Sequence, residues 1–219
     1  MPEDKKLSIE KKLKNAVREQ ITLASQVVME DFPPFDKSIV TGIDVHYSGS
    51  LAVGCATVVE VETLKAIQTV TLNREVQVDY IPGYLYLREG PIVLGLLKLL
   101  ENTGPVLIDG NGVLHPRRMG LASYAGVVLN IQTIGVAKRI HVGIIGPRVD
   151  NYAPIHDDDE VIGMAVWLGK EKPVFVSVGN NITLSTSVRV VKDCAVRGYP
   201  EPLCIAHRTA KEIARNTQL

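Results

Sequence analysis

Cysteine is scarce in this chain of 219 residues, which contains only Cys55, Cys194 and Cys204 and no C-x-x-C pair. An odd, scattered set of cysteines predicts neither a disulfide framework nor a zinc cluster. Apolar runs of about 18 residues, long enough to cross a membrane, are also missing, as is an apolar signal core at the N-terminus. We therefore expect a soluble, cytoplasmic protein that makes no membrane contact.

Neither sign of charge is in excess, because 24 Lys and Arg residues balance 24 Asp and Glu residues. The chain therefore has no bulk positive field of the kind that attracts nucleic acids without regard to sequence. The balance is uneven, since the run Asp-Asp-Asp-Glu at 157–160 concentrates negative charge that the rest of the chain offsets. We interpret this run as a solvated loop and not as a metal site.

The chain length, a hydrophobic content of 46% and the lack of repeats or linkers predict a single domain over residues 1–219. Its first element is an amphipathic helix at about residues 7–30, where apolar residues recur at helical spacing up to Phe32-Pro33-Pro34. We expect this helix to pack on the domain, with a partner-binding role as the alternative.

Three strand-like runs joined by short turns follow this helix and predict an antiparallel meander. Asp44 lies within the first run between Ile43 and Val45, where a buried carboxylate without a partner costs roughly several kcal/mol. A metal ligand explains this position better than a structural aspartate does. The three runs cover residues 39–46, 51–61 and about 64–78.

Two more carboxylates stand at the ends of predicted elements beyond the meander. Glu89 precedes a helix predicted from Ile92 to Leu100, where a capping role is the alternative. Asp109 follows the short apolar run at 106–108, which is typical of a buried parallel strand. Later runs predict strands at 133–137, through 144, at 161–168 and at 174–178, a helix from Thr183 to Gly198, and a last helix after Pro202.

A meander followed by helix, strand, helix and strand is the layout of a ribonuclease-H-like α/β fold. Such a fold has a mixed sheet, an antiparallel three-strand meander plus parallel strands, flanked by helices. Its first strand and the strand after the first helix are parallel neighbours, so Asp44 and Asp109 can meet. Carboxylates around an open position suit Mg²⁺ or Mn²⁺, which bind phosphate oxygens and activate water. Lys138 could then neutralise a phosphate, while His207 could orient the water or be a packed helix histidine.

Several sequence blocks between about Val40 and His207 resemble the endonuclease V family. The third block below is long and rarely seen outside that family, which makes the resemblance specific. The blocks are T-G-I-D-V at 41–45, Y-I-P-G-Y-L and R-E-G-P within 80–91, I-D-G-N-G-V-L-H-P-R-R-M-G-L-A-S at 108–123, T-I-G-V-A-K at 133–138, and V-S-V-G at 176–179 with the late Ala206-His207.

The resemblance implies a DNA repair endonuclease that recognises deoxyinosine and hydrolyses the second phosphodiester bond 3′ to the lesion, leaving a nick. It assigns Asp44, Asp109 and Glu89 to a metal ion, Mg²⁺ with Mn²⁺ as a substitute. It assigns Lys138 and His207 to the active site. We expect a monomer that binds deoxyinosine-containing DNA, with inosine-containing RNA as an alternative partner.

The resemblance also gives the segment at 79–84, called here the wedge loop, a role in base extrusion. Tyr80, Ile81 and Pro82 would enter the helix where the damaged base leaves it. Extruding a base costs about a few kcal/mol and leaves a gap to fill. The extruded base would lie among backbone and small residues, with His115 as a nearby donor, in a pocket built from Gly83, Leu85, Gly110 and Gly120.

Four residues depart from the pattern of the family. Asp79 stands where proline usually begins the wedge, Tyr124 replaces a histidine, and Asn180-Asn181 replaces a histidine and a basic residue. Because of these departures, the range of substrates stays open. The alternative is an inosine-specific ribonuclease of the same fold.

Two further classes are weaker alternatives. An actin-like phosphotransferase would need a glycine-and-hydroxyl phosphate loop after Asp44, and the sequence lacks one. A nucleic-acid scaffold without chemistry would not need all three carboxylates with Lys138 and His207.

Overall fold

The computed structural model describes residues 3–35 and 37–217, with side chains from residue 11 onward. Helices and strands in these residues alternate much as predicted. The helices are α1 (Glu3–Ala24), α2 (Leu85–Leu97), α3 (Leu121–Leu129), α4 (Leu184–Asp193) and α5 (Glu201–Asn216). The strands are β1 (Ile39–Ser48), β2 (Leu51–Glu60), β3 (Ala66–Glu75), β4 (Val106–Asp109), β5 (Thr133–Ala137), β6 (Ile144–Ile145), β7 (Tyr152–Asp157), β8 (Glu160–Val166), β9 (Val174–Asn180), β10 (Ala195–Val196) and β11 (Tyr199–Pro200).

One mixed sheet has the strand order β3-β2-β1-β4-β5-β9-β8-β7-β6. β1, β2 and β3 form an antiparallel meander, whereas β1, β4 and β5 run parallel. The other strands extend the sheet by antiparallel pairing, and β10 and β11 form a separate hairpin. This topology confirms the predicted ribonuclease-H-like α/β fold.

Apolar residues on both faces of the sheet explain why helices cover both sides. Along β4, Val106 and Ile108 face the layer formed by α2 and α3, whereas Leu107 faces the layer of α4 and α5. This alternation follows from the two-residue period of a strand. α5 packs on β1 and β2 through small residues, so its backbone lies close to the sheet. None of the helices in residues 3–35 and 37–217 has the length and apolarity needed to span a membrane.

α1 ends at Ala24, earlier than the predicted boundary near residue 30. The segment that follows binds the start of α4 instead of continuing the helix. The Asp31 carboxylate accepts hydrogen bonds from the Thr183 backbone N–H at 2.8 Å and from the Thr186 hydroxyl at 2.7 Å. A carboxylate at a helix N-terminus satisfies free backbone donors, which stabilises this non-helical path.

Glu89 lies inside α2, so the prediction that it precedes the helix is wrong. The Gly90-Pro91 pair indicated a break, because proline removes a backbone donor and crowds the preceding turn. In the structure α2 begins at Leu85 and continues through Pro91. Packing of its apolar face against the sheet outweighs the lost hydrogen bond, and Glu89 faces inward as a result.

α4 ends at Asp193 and not at the predicted Gly198. Arg197 and Gly198 both have positive φ angles, 52° and 80°, and form the two-residue turn between β10 and β11. Such a turn favours glycine because its backbone lies in the left-handed region. The hairpin brings Tyr199 to the start of α5, beside the site described next.

Candidate active site

Asp44 and Asp109 meet at the carboxyl end of the parallel pair β1 and β4. The last paired residues of these strands are Ile43 and Ile108, and each aspartate is the next residue along its strand. Since side chains alternate along a strand, both carboxylates point away from the layer that contains Ile43 and Ile108 and toward the side of α5. The structure thus brings together the two carboxylates that the sequence predicted to be neighbours.

α5 carries His207 to Asp44, and its close approach depends on Gly42. A Cβ atom at residue 42 would lie 2.3 Å from the carbonyl carbon of Pro202, so the helix can rest on the strand only at a glycine. His207 Nδ1 lies 2.6 Å from Asp44 Oδ2. The His207 side chain is 51% exposed, which excludes the alternative of a packed helix histidine.

Lys138 follows β5 and contacts the second aspartate, with Nζ 2.6 Å from Asp109 Oδ2. Its side chain is 60% exposed, so the ammonium is accessible to a bound phosphate. The Tyr199 ring lies beside it, 5.0 Å from Nζ, a distance typical of a cation–π contact. Burial, and then the charges of Asp109 and Asp44, raise the pKa of Tyr199, so its hydroxyl remains protonated.

Glu89 approaches the same strand ends from α2 and is buried, with 9% of its surface exposed. Its Oε1 accepts a hydrogen bond from the Tyr47 hydroxyl at 2.9 Å. Burial, and then the nearby Asp44 and Asp109 carboxylates, raise the pKa of Glu89 to about 8, although the Tyr47 hydrogen bond opposes the rise. In the metal-free protein this carboxyl group is therefore largely protonated at neutral pH.

The three carboxyl groups repel one another when all are ionised, and a cation would stabilise that ionised state. Burial, and then the Asp109 charge, also raise the pKa of Asp44. Across the described residues, no group of three or more His, Cys, Asp or Glu side chains is placed to hold a metal ion by itself. Mg²⁺ does not need one, because it retains several waters and binds through one or two carboxylates and phosphate oxygens. The donor set therefore fits a hard divalent cation.

The glycine turn after Asp109 packs closely against β9. A Cβ atom at Gly112 would lie 1.9 Å from the carbonyl oxygen of Val178 in β9. The Gly112 N–H instead donates a hydrogen bond to Ser177 Oγ at 2.9 Å. Glycine therefore allows the chain to pass directly over the sheet at this point.

A cavity of about 300 Å³ is lined by residues close in sequence to Glu89 and Asp109, although none of the three carboxylates lines it. Leu85, which lines the cavity, lies one helical turn before Glu89 in α2. Asn111, which also lines it, lies two residues after Asp109. Its volume is at the lower end for small-molecule sites, which suits a single planar base. Most of the predicted base-binding residues line it, namely Tyr80, Pro82, Gly83, Leu85, His115 and Gly120.

Two of the predicted base-binding residues lie elsewhere. Ile81 lines a separate groove between α1 and the wedge loop, together with Asp79. Gly110 lies behind the cavity wall, where a Cβ atom would contact Leu121 at 3.6 Å. Tyr80 is 54% exposed, which excludes the alternative of a core tyrosine packed under the loop.

The acidic run at 157–160 has a structural role that the solvated-loop interpretation missed. It forms the turn between β7 and β8. Arg118 binds both ends of it, with Nη2 2.8 Å from Asp157 Oδ2 and Nε 3.1 Å from Glu160 Oε2. The run thus anchors the segment that carries His115.

Tyr47 and Tyr199 are site residues that sequence reasoning missed. Tyr47 lies on the face of β1 opposite to Asp44, and Tyr199 belongs to a hairpin whose first strand was predicted to be helical. Their aromatic character was the one sequence feature that could have pointed to them, because aromatic residues make up only 5% of the chain.

Three of the four residues that depart from the family pattern, Tyr124, Asn180 and Asn181, make structural contacts and do not line the cavity. The Tyr124 ring packs 4.7 Å from that of Tyr86. The Asn180 amide donates to the Gly126 carbonyl at 3.1 Å, and Asn181 donates to Asn130 Oδ1 at 3.0 Å. None of the three lines the cavity itself, although Tyr124 contacts Tyr86, which does.

A family model described as Endonuclease V matches residues 21–208. The chain belongs to the endonuclease V family. Among curated relatives, the Endonuclease V of Thermofilum pendens is 39% identical over 207 residues, which cover 93% of this chain and 89% of the relative. The predicted family membership is thus confirmed, and the chain is an endonuclease.

Solved structures of endonuclease V proteins share the fold. The Ciona intestinalis enzyme, in complex with a 24mer DNA containing an inosine followed by a ribo-adenosine, has a TM-score of 0.88 at 28% identity and covers 95% of this chain and 99% of its own. The Streptomyces avermitilis enzyme has a TM-score of 0.84 at 32% identity and covers 94% of each chain.

Proposed function

We propose that this endonuclease V cleaves DNA that contains deoxyinosine, at the second phosphodiester bond 3′ to the lesion. The observation that carries the proposal is a base-sized cavity next to a cluster of carboxylates, since lesion-directed cleavage requires both on one strand. The structurally similar Ciona enzyme binds inosine-containing DNA, which supports the same substrate class here. The proposal includes a single domain over residues 1–219 that acts as a cytoplasmic monomer.

Asp44, Asp109 and Glu89 would hold Mg²⁺, for which Mn²⁺ would substitute. When bound, the ion would polarise the scissile phosphate and favour ionisation of a water. Its charge would also favour the ionised form of Glu89, whose pKa is raised in the metal-free protein.

Lys138 and His207 would act on the phosphate and the attacking water. Each already contacts one aspartate, Lys138 through Nζ and His207 through Nδ1. Because Asp44 faces Nδ1, Nε2 is the nitrogen left to exchange a proton with water. The exposed Lys138 ammonium would neutralise charge that develops on the phosphate oxygens.

A cleavage assay on labelled oligonucleotides tests this function. With Mg²⁺, a duplex with one deoxyinosine should be nicked at the second bond 3′ to it, and the matched adenine duplex should stay intact. Equal cleavage of both duplexes, or none of either, would refute the proposal. Preference for inosine in RNA would identify the ribonuclease alternative, and ATP turnover would identify a phosphotransferase.

Replacing Tyr80 by alanine should weaken the discrimination between inosine and adenine duplexes by roughly ten- to a hundredfold. As a wedge, the ring replaces base stacking worth about 1–3 kcal/mol, and each 1.4 kcal/mol is about tenfold. Cleavage of inosine in single strands should suffer less, because less stacking is disrupted. Relative kcat/KM values on both substrates measure the effect.

Tyr80→Phe is the matched control, because it keeps the ring and should retain discrimination. The melting temperature should barely change in either variant, since the ring is largely exposed. Equal losses on single and double strands, with a large fall in melting temperature, would show that Tyr80 is a structural residue.

A further inference from the structure

The carbonyl oxygen of Gly83 in the wedge loop is held by three side chains from other parts of the chain. Gln20 Nε2 lies 3.2 Å from it, His115 Nε2 lies 3.1 Å from it, and Arg117 Nη2 lies 2.5 Å from it. A carbonyl oxygen has two lone pairs, so these donors saturate it. The position of the loop is thus determined by α1 and by the segment after β4.

Gln20 connects the wedge loop to another wall of the base cavity. Its side chain is buried, with 1% exposed, and Nε2 also donates to the Met119 carbonyl at 2.7 Å. Its Oε1 accepts a hydrogen bond from Arg117 Nε at 2.7 Å. Since Gly83 and Met119 both line the cavity, one residue of α1 holds two sides of it.

His115 and Arg117 complete this arrangement. The Arg117 backbone N–H donates to His115 Nδ1 at 3.2 Å, so the ring proton belongs on Nε2, which donates to Gly83. Burial, and then the Arg117 charge, lower the pKa of His115 to about 4, so this neutral form persists at physiological pH. The Arg117 guanidinium also lies 4.5 Å from the centre of the Tyr84 ring at the end of the loop.

We propose that Gln20 and Arg117 are positioning residues that fix the wedge loop against the base cavity before substrate binds. α1 is then part of substrate recognition and not only a helix packed on the domain. Holding the loop in advance reduces the ordering cost of binding, because the loop need not be immobilised when the base is extruded. The inference rests on the proposed function, since it assigns these residues to recognition of the extruded base.

The substitution Gln20→Glu tests the inference with little change in side-chain volume. Glutamate can still pair with Arg117, but its ionised carboxylate cannot donate to the Gly83 and Met119 carbonyls. Amide hydrogen exchange in residues 79–86 should become about tenfold faster. KM for the deoxyinosine duplex should rise about tenfold, with kcat changed less than about twofold.

Gln132→Glu is the matched control. Gln132 is also buried, with 6% exposed, and donates to the carbonyls of Pro33 at 2.7 Å and Asn181 at 3.0 Å, away from the cavity. It should lower the melting temperature without changing KM or exchange in the wedge loop. Arg117→Lys, at a partly exposed position, gives a second variant that cannot donate to Gly83 and Gln20 at once and should also speed exchange in the loop.

Unchanged exchange at 79–86 in both folded variants, or an equal change in Gln132→Glu, would overturn the inference. So would an effect confined to kcat, because positioning for recognition acts through KM. If the unmodified protein cleaves no inosine substrate, the proposed function fails instead. The exchange experiment still tests the loop contacts in that case, so the two failures can be told apart.

Discussion

Replacing Asp44 or Asp109 by asparagine is expected to abolish strand cleavage. Each substitution removes a negative charge from the group that would hold Mg²⁺, while the side-chain shape is nearly unchanged. Binding of inosine-containing DNA should persist, because the loss of a carboxylate reduces repulsion of the phosphates. Cleavage and a binding titration on the same labelled duplex separate the two effects.

The folded state should not be weakened by Asp44→Asn. Burial and the Asp109 charge raise the pKa of Asp44 above its unfolded value, so its ionisation at neutral pH opposes folding. Asparagine removes that penalty, and the melting temperature should stay level or rise. Asp150→Asn, at an exposed left-handed position, is the matched control and should leave cleavage unchanged. Cleavage that continues in excess EDTA, or in either variant, would exclude the metal assignment.

Replacing Lys138 or His207 by alanine should lower kcat by about a hundredfold or more, with a smaller effect on affinity. A contact that strengthens as negative charge develops on the phosphate oxygens raises kcat more than it raises affinity. Removal of one such group typically lowers kcat by about 10²- to 10³-fold. Single-turnover kinetics at saturating enzyme measure this loss directly. Lys138→Arg should recover part of it, because the charge is retained.

Lys138 and His207 are largely exposed, and exposed ion pairs contribute little to stability, so the melting temperatures of both variants should change little. Lys172→Ala, at an exposed position, is the control for loss of a lysine. A lower melting temperature with near-normal turnover in the folded fraction would instead identify structural residues.

The strand-borne part of the site was predictable because its signals are local. Asp44 interrupts an apolar strand, and Asp109 ends one, so the period of two and the parallel pairing suffice to bring them together. The helix-borne part was predicted less well. Gly90-Pro91 indicated a helix break, whereas tertiary packing carries α2 through it and buries Glu89.

Contacts between distant segments leave no periodic pattern. Gln20 binds the carbonyl of Met119 across 99 residues of sequence, and Tyr47 reaches Glu89 across 42. Such pairs become visible only when the sheet order and the helix positions are known. The wedge loop was identified through the family resemblance, but the side chains that hold it were not.

The docking of α5 on Gly42 also sets when the site is completed during synthesis. His207 is separated by 163 residues from Asp44, the carboxylate it contacts. Because a chain is made from its N-terminus, all three carboxylates leave the ribosome before the helix that brings the histidine. A nascent chain that has not yet reached α5 therefore lacks the side chain that faces Asp44. If His207 acts on the attacking water as proposed, nuclease activity should arise only once α5 has been made and has packed on β1.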